Sequence, residues 1–218
     1  MKSKIFIWTL FFIPILYLLY KLGFQIPLLE TYSKSFQTAT HNYFGSFPTD
    51  PVKFISDITG ITALQFLTLT LFVTPLKRYK IINLQRSRRL LGLMSFFYAL
   101  SHMFLYLLLD HDLNIIALLE EAFDKQFIFF GMASLLILLF MALTSTKKLF
   151  AKFIKWHQLI YLATIFISFH YLLSQMIIGM SALLYVTTLL LLLILRKDKI
   201  KKLLSTLLQR LAHRHSKT

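Results

Sequence analysis

The chain of 218 residues has no cysteine, which excludes disulfides, thiolate zinc sites, iron–sulfur clusters and covalently attached c-type haem as intramolecular features. Any metal must be held by histidine, methionine, a carboxylate or an organic cofactor. Acidic side chains are scarce: 9 Asp and Glu stand against 24 Lys and Arg, a formal charge of +15. Such an excess can signal nucleic acid. Here the basic residues form no binding face but cluster in the gaps between apolar runs, so membrane topology accounts for them and a nucleic-acid partner is not expected. There is no internal repeat in the sequence, and no stretch reads as a soluble catalytic domain.

What fills the chain is hydrocarbon and aromatic ring. Hydrophobic residues make up 57% of it, 22 of them Phe, and the mean hydropathy is +0.67, more apolar material than a soluble domain of this length can hide from water. Six runs come close to the ~20 residues that span a bilayer: residues 5–24, 58–76, 90–109, 127–145, 156–176 and 178–195. The expected fold is all-α, an integral membrane bundle of six transmembrane helices. The first run follows Met1-Lys2-Ser3-Lys4 as a signal peptide would, but it is long and lacks a small-residue cleavage site. Residues 1–24 therefore read as an N-terminal transmembrane anchor, kinked at Pro14. Residues 25–57, with Pro27, Pro48 and Pro51, read as a periplasmic loop, and 58–196 as the main transmembrane domain. In the tail, 197–218, Ile200, Leu203, Leu204, Leu207, Leu208 and Leu211 recur at helical spacing among basic residues. That pattern suits an amphipathic helix on the lipid of the inner leaflet.

Orientation follows from the gaps. Twenty of the 24 Lys and Arg fall at the N-terminus, after the second and fourth runs and in the tail, whereas 8 of the 9 acidic residues fall in the other gaps. Both termini are expected in the cytoplasm, and the acidic loop from Asp110 to Asp124 outside it.

Three histidines lie in or at the edge of apolar runs: His102 in SFFYALSHMFLYLLL, and His157 and His170 in KWHQLIYLATIFISFHYLLSQM. An imidazole in a bilayer is costly and is retained where it binds something. Two imidazoles facing each other across a bundle are the axial ligands of a b-type haem. His102 lies 7 residues before the end of the third run and His170 lies 6 before the end of the fifth, which runs the same way; at ~1.5 Å per residue their depths agree within a few ångströms. His157 precedes His170 by 13 residues, about 20 Å nearer the cytoplasm. Arg88 and Arg89 stand where a partner for His157 is expected. A guanidinium is not a haem ligand, but it suits an anionic group such as a haem propionate, a lipid phosphate or a flavin phosphate. A second, inner haem on His157 then needs another sixth ligand.

The competing readings are helix–helix hydrogen bonding and proton relay for the pair, and interfacial anchoring beside Trp156 for His157. His41, His111, His213 and His215 read as solvated. Gly60, Gly92 and Gly131 either admit a macrocycle or simply pack helices. Tyr98, Tyr106, Tyr161 and Tyr171 either donate to a propionate or anchor at an interface.

A set of short motifs occurs in a telling order: Asp50-Pro51-Val52-Lys53, Thr59-Gly60-x-Thr62-Ala63-Leu64, Thr74-Pro75-Leu76, Arg88-Arg89-Leu90-Leu91-Gly92-Leu93, Tyr98-x-x-x-His102-x-x-x-Tyr106, Leu143-Thr144-Ser145, His157-x-x-x-Tyr161 and His170-Tyr171. Over about residues 50–200 the chain resembles the MsrQ (YedZ) family, haem-binding membrane subunits of the bacterial periplasmic methionine-sulfoxide reductase system and relatives of ferric-reductase transmembrane domains. The resemblance implies a b-haem protein of the bacterial inner membrane. It implies electron transfer from a cytoplasmic flavin reductase, or from quinol of the quinone pool, to MsrP, a periplasmic molybdopterin enzyme that repairs oxidised methionine. It also implies FMN, and it matches His102, His157 and His170 to the family's haem histidines. The chain departs from the family in having Lys125-Gln126-Phe127 where Arg-Pro-Tyr is usual, and in its long outer loop, both on the side that would meet MsrP. Such a protein is an electron-transfer subunit rather than a complete enzyme. Two other classes stay open on the residues alone: a stand-alone ferric or quinone reductase of cytochrome b type, and a non-redox transporter whose histidines relay protons.

Overall fold

Away from water a backbone N–H or C=O has to be satisfied within the chain, and a long run of Leu, Ile and Phe does this most simply as a helix. A computed structural model describes residues 2–23, 51–175 and 179–195, and among these there is no strand. In chain order the elements are α1 (Lys2–Gly23), α2 (Pro51–Arg78), α3 (Arg88–Leu109), α4 (Ile115–Asp124), α5 (Gln126–Leu143), α6 (Lys147–Phe153), a 3₁₀ turn (Trp156–Leu159), α7 (Ile160–Leu173) and α8 (Met180–Ile194). Most of the described residues of each of the six apolar runs are helical. Three helices are long and apolar enough to cross a membrane, Val52–Arg78, Arg88–Leu109 and Gln126–Leu143, while Ile7–Leu18 and Met180–Ile194 are shorter apolar helices.

Three boundaries differ from expectation, each for a local reason. Pro51 is the first residue of α2, where its missing N–H is no loss and its fixed φ suits a helix; Lys53, Ser56 and Asp57 therefore leave the outer loop and join the helix. The fifth run is not one continuous α-helix, since Trp156–Leu159 winds as a 3₁₀ turn before α7 begins. The acidic stretch holds α4, started by Asn114, whose side chain accepts from the backbone N–H of Ile116 at 3.1 Å and of Ala117 at 3.2 Å. The expected periplasmic loop before Pro51 and the amphipathic tail lie outside the described residues, as do His41, His213 and His215.

α2 is the central helix. Through Ala63, Phe66 and Val73 it packs against Ile7 and Phe11 of α1 and Met94 and Tyr98 of α3. Its Leu64, Leu67 and Leu71 pack against Leu138 of α5, Ile160 of α7 and Leu189 of α8. A helix buried on two sides must also satisfy its own hydroxyls. Thr59, Thr68 and Thr70 do so by donating to the carbonyls four residues back, each at 2.8 Å. Tyr98 is committed inside the protein, its hydroxyl donating to the Phe11 carbonyl and its ring stacked on Phe66 at 5.7 Å. This bond ties α1, which contains Pro14, to α3.

Candidate functional site

His102 on α3 and His170 on α7 come together, their ring centroids 6.2 Å apart and their planes at 73°. Both rings are seated in the same way by a neighbouring helix. Nδ1 of His102 donates to the Ser56 carbonyl of α2 at 3.0 Å, with the Ser56 hydroxyl 3.3 Å away. Nδ1 of His170 donates to the Phe127 carbonyl of α5 at 2.7 Å. A carbonyl oxygen only accepts, so each ring carries its proton on Nδ1 and keeps its lone pair on Nε2.

Ser56 lies four residues before Gly60, and Phe127 four before Gly131. In both seats the accepting oxygen is thus the one that the helical pattern brings to a glycine's N–H, and the Ser56 oxygen also accepts from the Thr59 hydroxyl at 3.0 Å. The glycine supplies the space. A Cβ on Gly60 would lie 3.2 Å from His102 Cε1, and a Cβ on Gly131 only 2.8 Å from His170 Nδ1. Of the two readings of these glycines, room for a macrocycle or close packing of helices, the contacts at Gly60 and Gly131 are of the second kind: the space is taken by an imidazole of the neighbouring helix. Gly92 would bring a Cβ to 3.8 Å from Thr70 Cγ2, ordinary contact. The α2–α3 and α5–α7 pairs repeat one geometry although the sequence shows no repeat. The one signal was Gly60 and Gly131, read without their partner carbonyls.

Among the described residues, no three His, Cys, Asp or Glu side chains gather closely enough to hold a metal ion. The pair offers two neutral imidazole ligands and calls for a metal that brings its remaining ligands with it, as a macrocycle does. His102 and His170 would hold the iron of such a group through Nε2, and the carbonyl behind each Nδ1 is the kind of support that fixes ring orientation and raises ligand basicity. The residues present fit a b-type haem.

His157 stands apart from this pair. It sits on the 3₁₀ turn, with Nε2 3.1 Å from Thr144 Oγ1 and its ring 4.6 Å from that of Phe150. The Thr144 hydroxyl proton is directed to the Phe140 carbonyl at 2.8 Å, so Thr144 accepts from His157. His157 consequently uses as a donor the nitrogen that the other two keep as a lone pair. Arg88, half-buried at the start of α3, acts electrostatically on His157 and Tyr161, while Arg89 is exposed. The expected grouping thus takes in Arg88.

The far end of α3 holds a polar cluster that sequence reasoning missed. His111, expected to be solvated, has a side chain only 13% exposed and its Nε2 2.7 Å from Glu121 Oε2. The same oxygen accepts from the Tyr106 hydroxyl at 2.8 Å, and Lys125 Nζ donates to Oε1. Burial pushes the Glu121 carboxyl up, but the hydrogen bonds from Lys125, Tyr106 and His111 outweigh it and hold the group below its ordinary value. Tyr106 follows His102 by four residues, so this cluster lies one turn beyond the paired histidines.

Residues 59–168 match the family described as "Ferric reductase like transmembrane component". The match takes in both glycines, His102 and His157, and stops just short of His170. Similar curated proteins are the protein-methionine-sulfoxide reductase heme-binding subunits MsrQ of Brucella ovis, Brucella canis and Brucella suis, each 40% identical over 163 residues, which is 73% of this chain and 70% of the relative. No solved structure matches the chain. Identity at that level over that share of both chains leads to one conclusion: the protein belongs to the MsrQ family, on a ferric-reductase-like transmembrane framework.

Proposed function

We propose that the protein is the b-haem electron-transfer subunit of a periplasmic methionine-sulfoxide reductase system. The observation that carries this reading is the histidine pair, 6.2 Å apart with each Nδ1 spent on a backbone carbonyl. When bound, the haem supplies a one-electron iron couple that the polypeptide itself lacks. The chain's own work is ligation and orientation. His102 and His170 offer Nε2, Ser56 and Phe127 hold the tautomer, and Gly60 and Gly131 let the rings sit against α2 and α5.

In this reading six helices span the bacterial inner membrane, with both termini in the cytoplasm, because the basic residues concentrate on one side. Electrons come in at the end of the bundle that carries Arg88, Arg89 and His157, from a cytoplasmic flavin reductase using FMN or from quinol. They leave at the α4 end for the molybdopterin subunit MsrP. His157 with Arg88 is the proposed place for a second haem or another anionic cofactor. The ferric-reductase-like match supports a second reading, direct reduction of a small acceptor without MsrP.

The test is the haem content and spectrum of purified protein. A low-spin spectrum that sharpens with dithionite and a haem that acid acetone extracts are expected. His102→Ala and His170→Ala should each lose that haem, and His157→Ala should keep it. A colourless but folded protein, or equal loss in all three variants, overturns the pairing. Oxidation of the reduced protein by purified MsrP, compared with ferric chelates, separates the two acceptor readings.

A further inference from the structure

α4 lies between two spans and is apolar over more of its surface than the protein covers. At 3.6 residues per turn its side chains fall into three sectors. The first faces the protein: Leu118 and Ala122 pack on Leu107 and Ile128, and Glu121 holds Tyr106 and His111. The second, Ile115, Ile116, Leu119 and Phe123, is uncovered, with Phe123 81% and Ile116 69% exposed. The third is acidic and exposed, Glu120 and Asp124.

The depth of the helix says what meets the second sector. Leu107 is two residues inside the end of α3, and Ile128 two inside the start of α5. α4 therefore packs against the last turn of two membrane-spanning helices, about 3 Å below their ends. At the same level Leu108, Leu109 and Phe129 of those helices are also exposed, so the uncovered sector of α4 continues their apolar band. A protein docking across the helix would have to take Glu120 and Asp124 out of water. A bilayer would not, because the acidic sector stays above it.

We infer that α4 is an interfacial helix whose Ile115, Ile116, Leu119 and Phe123 lie in the headgroup–acyl boundary of the phospholipid leaflet at the Leu109 end of α3, with Glu120 and Asp124 in water. The inference rests on α3 and α5 spanning the membrane and is independent of the haem. The absence of cysteine makes it directly testable. The full chain is placed in phosphatidylcholine–phosphatidylglycerol vesicles with a polarity-sensitive fluorophore on Ile116→Cys, Phe123→Cys, Glu120→Cys or Asp124→Cys. Labels at 116 and 123 should emit to the blue and be quenched several-fold more by lipid brominated near the headgroup than by aqueous iodide, and labels at 120 and 124 the reverse. Ile115→Cys and Leu119→Cys report the same sector should either apolar variant fail to fold. If the label at 123 is as open to iodide as that at 120, the face is in water; if it is shielded from both quenchers, other protein covers it. Either result overturns the inference. Quenching as expected in a protein without haem leaves it standing and removes the functional proposal instead.

Discussion

Gly131 is the tightest point of the histidine pair. An alanine there would put its Cβ 2.8 Å from His170 Nδ1 and 3.0 Å from Cε1, and the ring cannot easily retreat because Nδ1 is held by Phe127 of the same helix. Overpacking of this kind costs about 1–3 kcal/mol, and relief by rotation would re-aim Nε2. At Gly60 the nearest contacts are 3.2 and 3.3 Å, so His102 has to give by only a few tenths of an ångström. Gly131→Ala should thus lower the haem-to-protein ratio and disturb the low-spin spectrum more than Gly60→Ala. Wild-type occupancy and spectrum in both variants would show that the glycines seat nothing. The three membrane histidines are also unequal by the same hydrogen-bond logic, since Thr144 accepts from the Nε2 of His157.

Beside the packing of Leu118 and Ala122 on Leu107 and Ile128, one carboxylate holds α4 to its neighbours. Glu121 accepts from Tyr106, His111 and Lys125, with Asp110 adding negative charge beside Tyr106. The Lys125 arm is half exposed and contributes little, whereas hydrogen bonds to a charged group from the two more buried donors are worth about 1.5–3 kcal/mol each at most. Because the Glu121 carboxyl is held below its ordinary value, the stabilisation it brings is complete above the ordinary carboxylate range and is lost as pH falls through the lowered value. The protection of the α4 amides against hydrogen exchange, taken relative to the intrinsic rate at each pH, should accordingly fall on acidification in the wild type. In Glu121→Gln that protection should already be lower at neutral pH and show much less acid dependence. Identical exchange in the two proteins across that range would mean that α4 is held by Leu118 and Ala122 alone.

At the scale of the molecule the dominant feature is charge asymmetry, with 20 of 24 basic residues on the side proposed to face the cytoplasm. Arg88, Arg89 and Lys155 all lie at one end of the described bundle, near the start of α3 and the turn before α7. An acidic flavoprotein or a flavin phosphate would be drawn there, faster at low ionic strength. Reversing the charge of these three residues should slow haem reduction by a cytoplasmic flavin reductase and flatten its salt dependence, with dithionite reduction unchanged. Wild-type rates at every ionic strength, or tagged termini found in the periplasm, would overturn the proposed direction.

The sequence alone determined the helical character of the described residues, the helical position of the described apolar runs and the matched depth at which His102 and His170 meet. All three rest on quantities local to a segment: hydropathy over about 20 residues and a rise of ~1.5 Å per residue. Only the tertiary structure decided how the pair is held. The groups that seat it are bare backbone carbonyls, which any residue can supply, and they lie 46 residues from His102 and 43 from His170. The same holds for His111, which reads as a loop residue until α4 folds back and brings Glu121 to it. α4 itself was hidden because it is only 10 residues long, too short to read as a span, and its apolar residues are broken by Glu120 and Glu121, so its three faces take on meaning only when α3, α5 and the bilayer are set around them. Segmental burial is written in composition; a contact between distant segments is settled by the packing that brings them within hydrogen-bond reach.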